Sequence, residues 1–167
     1  MPHRSTRRTL LATAGAALAM PAIVRPAIAS GVKPTPTMRG GANNYRPGAP
    51  ITERIGGGGF VMTGSVRRAG DGAPLANRRI QMWAHTTEGH ERDERSHGAT
   101  LTGADGLFRM DMPQIVPAFG QPHGHLAYDR EFDEKFGGGE FETVFLRPVM
   151  RSADLKTLHV DFVLQPL

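Results

Sequence analysis

The chain of 167 residues has no cysteine, one tryptophan and two tyrosines. Without cysteine there is no disulfide framework, no thiolate metal site and no cysteine nucleophile. Any metal must therefore be held by histidine and oxygen ligands. Long 3.6-period apolar stretches are also missing, which argues against a helical bundle. What the chain has in quantity is punctuation, with 21 glycines and 13 prolines. That composition fits many short strands joined by turns. The length suits one domain with a tail, not a multidomain machine.

The net charge of +4 and the pI near 10.1 suggest a polyanion partner until the charge is located. Arg4, Arg7 and Arg8 open the chain, followed by an apolar run from Leu10 to Met20 and on to Val24. Ala27-Ile28-Ala29 has the A-x-A cleavage pattern, which makes Ser30 the expected new N-terminus. Ser5-Thr6-Arg7-Arg8-Thr9-Leu10-Leu11 resembles a twin-arginine export motif. The apolar run is broken by Pro21 and is short for a bilayer span, so no stable membrane insertion is expected after cleavage. Residues 1–29 are thus expected to be a twin-arginine signal, and the protein to be periplasmic or secreted. Their removal takes away four arginines and no acid, leaving 16 basic against 16 acidic side chains. A neutral domain with no basic run longer than two has no footprint for nucleic acid.

Residues 30–58 read as an irregular arm rich in Gly, Pro, Asn and Arg, closed by Gly56-Gly57-Gly58-Gly59. Residues 59–167 read as one β-domain. Strand-like runs cover Phe60 to Val66, Arg79 to His85, Ala99 to Thr102, Leu107 to Met110, His123 to Tyr128, Thr143 to Val149 and Leu158 to Leu164. In the second run Ile80, Met82 and Ala84 share one face, and Gln81, Trp83 and His85 the other. Gly103-Ala104-Asp105-Gly106 predicts a hairpin turn, and Asp129 to Phe136 one short helix. Seven short strands at these spacings predict an all-β, antiparallel β-sandwich.

Six histidines fall outside the signal, and His123-Gly124-His125 is the most pointed arrangement. On a strand, both imidazoles project from one face about 6–7 Å apart. From there two nitrogens can converge on one ion at about 2.0–2.1 Å. His90 and His97 belong to the charged loop Glu88 to His97, where a solvated role is the plainer reading for His97. His85 ends a strand, and His159 reads as a surface residue. Trp83 fits core packing as well as substrate stacking, and alternation places Tyr128 on the face opposite the histidine pair.

The order of these pieces resembles the intradiol ring-cleavage dioxygenases, the catechol and protocatechuate dioxygenase family. The matching residues are Asp71-Gly72-Ala73-Pro74-Leu75, then Ile80-Gln81-Met82-Trp83, then Thr102 through Met110 around Asp105-Gly106. His123-Gly124-His125 and the closing His159-Val160-Asp161-Phe162-Val163-Leu164 follow, and Asn44 to Pro50 has the character of the family's opening segment. The resemblance covers about Tyr45 to Leu164 and implies a β-sandwich of the immunoglobulin or prealbumin kind. It also implies a non-haem iron site in which His123 and His125 stand for the family's two histidines. The family's first tyrosine ligand falls seven to nine residues after the tryptophan, where this chain offers His90. Its second tyrosine and its arginine fall where Phe119, Gly120 and Gln121 stand. The resemblance thus implies His90, His123 and His125 as metal ligands, with His97 and His85 as weaker candidates. Phe119, Gln121 and Trp83 become candidates for the substrate pocket.

Replacing tyrosinates by imidazole gives a neutral donor set that suits iron, copper or zinc. The leading expectation is a periplasmic oxidoreductase that oxidises or cleaves a small aromatic diol. The alternatives are a metal-binding or carrier protein without turnover, and a sandwich with a repurposed hydrolytic or partner-binding site.

Overall fold

A computed structural model describes residues 31–167. The expected export signal over residues 1–29 lies outside the described residues. Seven strands follow one another: β1 (Gly59–Arg68), β2 (Arg79–Ala84), β3 (His97–Leu101), β4 (Leu107–Pro113), β5 (Gly124–Tyr128), β6 (Val144–Leu146) and β7 (Thr157–Leu164). The short helix α1 (Arg130–Asp133) runs into a 3-10 turn over Glu134–Phe136. Asp129 caps α1 by accepting from the Glu131 N–H at 3.1 Å.

Two sheets form, one in the order β4-β1-β7 and one in the order β3-β2-β5-β6. Strand alternation builds the core between them. Phe60, Met62 and Val66 of β1, Met110 and Met112 of β4, and Phe162 and Leu164 of β7 face Ile80, Met82 and Ala84 of β2 and Leu126 and Tyr128 of β5. Gly64 lets the small sheet close, because a Cβ there would lie 1.7 Å from the Val160 carbonyl oxygen and 2.4 Å from the Phe108 ring. Among the described residues no helix is long and apolar enough to cross a membrane.

Three expectations need correcting. The sandwich is not wholly antiparallel: β1 and β7 pair in parallel, from Val61–Thr157 to Arg68–Leu164. These strands lie about ninety residues apart in sequence, so no hairpin turn dictates their direction. The turn at residues 103–106 is not a hairpin, since β3 and β4 belong to different sheets. It carries the chain across the sandwich and is fastened to β1 by the Val66 N–H donating to the Gly106 carbonyl at 2.8 Å. The sixth strand shrinks to Val144–Leu146, followed closely by Pro148, which has no ladder donor.

Both faces of β2 and β5 are buried, although only one of them meets the opposite sheet. The second face is closed by the arm. Residues 41–49 lie over it, the Thr52 and Ala99 N–H groups donate to the Ala99 and Pro50 carbonyls at 2.8 Å, and Ile55 enters the core. Gly41 makes the close approach possible, because a Cβ there would meet the Phe145 carbonyl carbon and oxygen at 2.8 Å.

Asp133 ties α1 to the larger sheet from a fully buried position. It accepts from the Arg79 N–H at 2.8 Å, Arg78 Nη1 at 3.0 Å and the Tyr128 hydroxyl at 2.9 Å. Asp133→Ala should cost about 3–5 kcal/mol, because three donors lose a charged partner. Urea unfolding measures this, and a loss below about 1 kcal/mol would contradict the role assigned to Asp133.

Candidate metal centre

The outer face of the larger sheet is a floor of rings. Trp83 pairs with His97 on β3 and with His125 on β5, so the three side chains form one row across three strands. The Trp83 ring lies nearly parallel to both imidazoles, at 5.5 Å from His97 and 5.1 Å from His125. Its indole N–H donates to the Asn43 carbonyl of the arm at 2.9 Å. Trp83 is fully buried and therefore cannot stack on a substrate, which corrects the pocket role considered for it.

His123 and His125 converge with a third group absent from the expected set, Glu91. Its Oε2 lies 3.4 Å from His123 Nε2 and 3.4 Å from His125 Nε2. The three residues are 1%, 0% and 3% exposed for His123, His125 and Glu91. Backbone carbonyls set the tautomers: His123 Nδ1–H donates to Gln121 at 2.9 Å, and His125 Nδ1–H to Gly41 at 3.0 Å. Each Nε2 then carries its lone pair toward the carboxylate. Asn44 fixes that carboxylate from the far side, its Nδ2 donating to Glu91 Oε1 at 2.8 Å.

Such an arrangement is poor as an ion pair. At 3.4 Å the contacts are too long for good N–H···O bonds, and Glu91 Oε2 and His125 Nε2 have no hydrogen-bond partner. Burial holds the His125 pKa below the ordinary imidazole range, although its bond to the Gly41 carbonyl and the Glu91 carboxylate both pull it up. The unprotonated imidazole is thus favoured beside the buried Glu91 carboxyl group.

A metal fits there. Two donors bound at about 2.1 Å to one ion, at a near-tetrahedral angle, stand about 3.4 Å apart. Backbone carbonyls on the remote ring nitrogens are the usual support for ligating histidines. Two imidazoles and one carboxylate match both the open triad of non-haem Fe(II) sites and the three-ligand catalytic zinc sites.

The structure does not bring His90 into this group. Its side chain meets His85 instead, ring to ring at 4.4 Å. Neighbouring loop side chains diverge, and the turn from Thr86 to Gly89 directs His90 to His85 and Glu91 to the pair. His97 is buried, not solvated, and stands across Trp83 from His125. Its Nε2–H donates to the Glu91 carbonyl at 2.9 Å and so holds the Glu91 backbone in place. Phe119 is 81% exposed at the tip of a turn with φ of 52°, and the exposed Gln121 serves the site through its carbonyl. Neither side chain forms the expected pocket. His159 is on the surface as expected.

Both tyrosines are engaged elsewhere. Tyr128 faces the inner core and donates to Asp133, while Tyr45 donates to Asp129 and packs on Trp83 and Phe145. Burial, reinforced by those carboxylates, raises both phenol pKa values and keeps them protonated. Glu91 was missed because a loop glutamate looks like any solvated charge. The available signal was its place eight residues after Trp83, inside the window that the family resemblance marks.

No family model matches the chain, and no curated protein matches it. Solved structures do. The chain is similar to hydroxyquinol 1,2-dioxygenase from Pseudomonas putida DLL-E4, at 12% identity and a TM-score of 0.59 over 81% of this chain and 68% of that one. It is similar to the dioxygenase domain of a dioxygenase carbohydrate-binding protein fusion from Streptomyces sp. SirexAA-E, at 16% identity and 0.59 over 81% and 100%. It is likewise similar to 3-chlorocatechol 1,2-dioxygenase from Rhodococcus opacus 1CP, at 16% and 0.54 over 74% and 69%. The chain therefore has the dioxygenase sandwich fold. Identities this low show the fold alone.

If Glu91 is poised for a cation, its carboxylate is a burden to the metal-free protein. Glu91→Gln should then stabilise the metal-free form by about 1–3 kcal/mol, since an amide N–H can donate to the imidazole nitrogens. The same change should abolish the rise in Tm that divalent metal gives the unaltered protein. Thermal and urea unfolding with and without metal read both effects, and destabilisation of the metal-free form by Glu91→Gln would contradict the assignment.

Proposed function

We propose that this is an exported, non-haem metalloprotein that holds a divalent metal, iron foremost, on Glu91, His123 and His125 and oxidises or cleaves an aromatic diol. The observation that carries the reading is the buried Glu91 Oε2, 3.4 Å from two imidazole nitrogens and without a hydrogen-bond partner. The dioxygenase fold supports the substrate class, as neighbouring structures are named for hydroxyquinol and chlorocatechol. A bound iron supplies Lewis acidity and redox chemistry toward a diol and oxygen. The protein's own groups do the rest. Gly41 and Gln121 orient the imidazoles, Asn44 orients the carboxylate, and Trp83 with the arm keeps water out from below. Without a phenolate in reach, the donor set favours Fe(II), or zinc or copper, over a ferric tyrosinate centre.

One observation favours a second reading. The three donors are nearly inaccessible, which suits a metal-binding or structural centre without turnover. In that case the metal fastens arm, loop and sheet together and no diol reaches it.

Metal analysis, the visible spectrum and oxygen uptake with catechol or protocatechuate, on protein from its native compartment, separate the readings. The expected result is about one tightly held metal, no broad tyrosinate band, and oxygen uptake lost in His123→Ala/His125→Ala. Metal without oxygen uptake would select the second reading. Unchanged metal content in that variant would sink both.

A further inference from the structure

His85 and His90 form a separate pair beside the Glu91 centre. Alternation along β2 puts His85 on the outer face with Gln81 and Trp83. It lies one step beyond the Ala84–Gly124 pair, which sets it beside His123 on the neighbouring strand. The chain then turns back at once, the Thr86 N–H donating to the Gly89 carbonyl at 2.9 Å. This turn lays His90 over His85, with ring centroids 4.4 Å apart and planes at 72°. The Asp93 carboxylate accepts from the His90 backbone N–H at 2.8 Å and fixes the loop, while the Val116 N–H donates to the His85 carbonyl at 3.1 Å. Both rings are therefore held by backbone bonds, and neither is placed by a side-chain partner.

The Nδ1 atoms of both rings are buried without any hydrogen-bond partner. Buried nitrogens with no partner are rare and ask for one. The rings cannot supply it to each other, since no bond joins them. Two imidazoles bound to one ion at about 2.0 Å, at right angles around it as in tetragonal copper(II) sites, put their centroids about 4.5 Å apart, whereas a tetrahedral ion would hold them about 5.3 Å apart. The observed 4.4 Å matches the right-angled case.

We propose that His85 and His90 form a second metal site, distinct from Glu91/His123/His125, that takes an imidazole-favouring divalent cation of right-angled coordination, copper(II) foremost, with water completing its shell. The protein would then carry two cations along one end of the sheet: one closed in by three protein ligands, and one held by two and open to exchange. The weaker, open site suits acquisition or exchange of metal. It does not depend on any reaction at the first.

Copper(II) titration of the metal-stripped chain by calorimetry tests this. The unaltered protein should bind two equivalents, the second at least tenfold more weakly. His85→Ala/His90→Ala should bind one, with first-site affinity changed less than threefold. Glu91→Gln/His123→Ala should keep only the weak equivalent, so failure of the first site is read apart from failure of the second. A single equivalent that persists in His85→Ala/His90→Ala would overturn the proposal. Loss of both equivalents in His85→Ala/His90→Ala, with the circular dichroism intact, would also overturn it by placing these rings in the first site. If that variant does not fold, His85→Asn and His90→Asn, which keep size and polarity, carry the same readings.

Discussion

The structure turns on a buried carboxyl group faced by two imidazole nitrogens. Glu91 Oε2 lies 3.4 Å from Nε2 of both His123 and His125, and it and His125 Nε2 are buried without a hydrogen-bond partner. Three elements meet to maintain this. Strand β5 and the residue just before it supply the two histidines, the loop after Trp83 supplies the carboxylate, and the arm supplies the Gly41 carbonyl and the Asn44 amide. Each element is closed onto the others by hydrogen bonds that end at a ligand. A cation at the centre would turn an unfavourable contact into the clasp that joins them.

The fold was largely legible because its signals are local. Alternation in β2 and β7, the turn at residues 103–106 and the histidine spacing in β5 each follow from a few neighbouring residues. What was not legible depends on distant pairing. No sequence pattern distinguishes a turn that returns along its own sheet from one that crosses the sandwich, and β7 reaches its parallel place beside β1 only through the whole topology.

The site followed the same rule. His123 and His125 were readable because strand periodicity alone makes them converge. The third group at the centre stands one residue from the expected one, since His90 looks like a ligand and Glu91 looks like a solvated charge. Only the loop conformation, set by the Thr86–Gly89 turn and by His97 holding the Glu91 carbonyl, decides which side chain turns inward. Trp83 misled in a related way. An aromatic beside two histidines suggests a substrate platform, yet both of its faces are taken by His97 and His125. Within the dioxygenase fold this chain thus sets a single carboxylate beside two imidazoles and keeps both of its tyrosines engaged elsewhere.

Crystallography of the metal-loaded protein, with anomalous scattering collected at the metal edge, tests that claim most directly. The expected result is a peak bonded to Glu91 Oε2, His123 Nε2 and His125 Nε2 at about 2.0–2.2 Å. A metal ligated by Tyr45 or Tyr128, or no peak among these three donors, would contradict it.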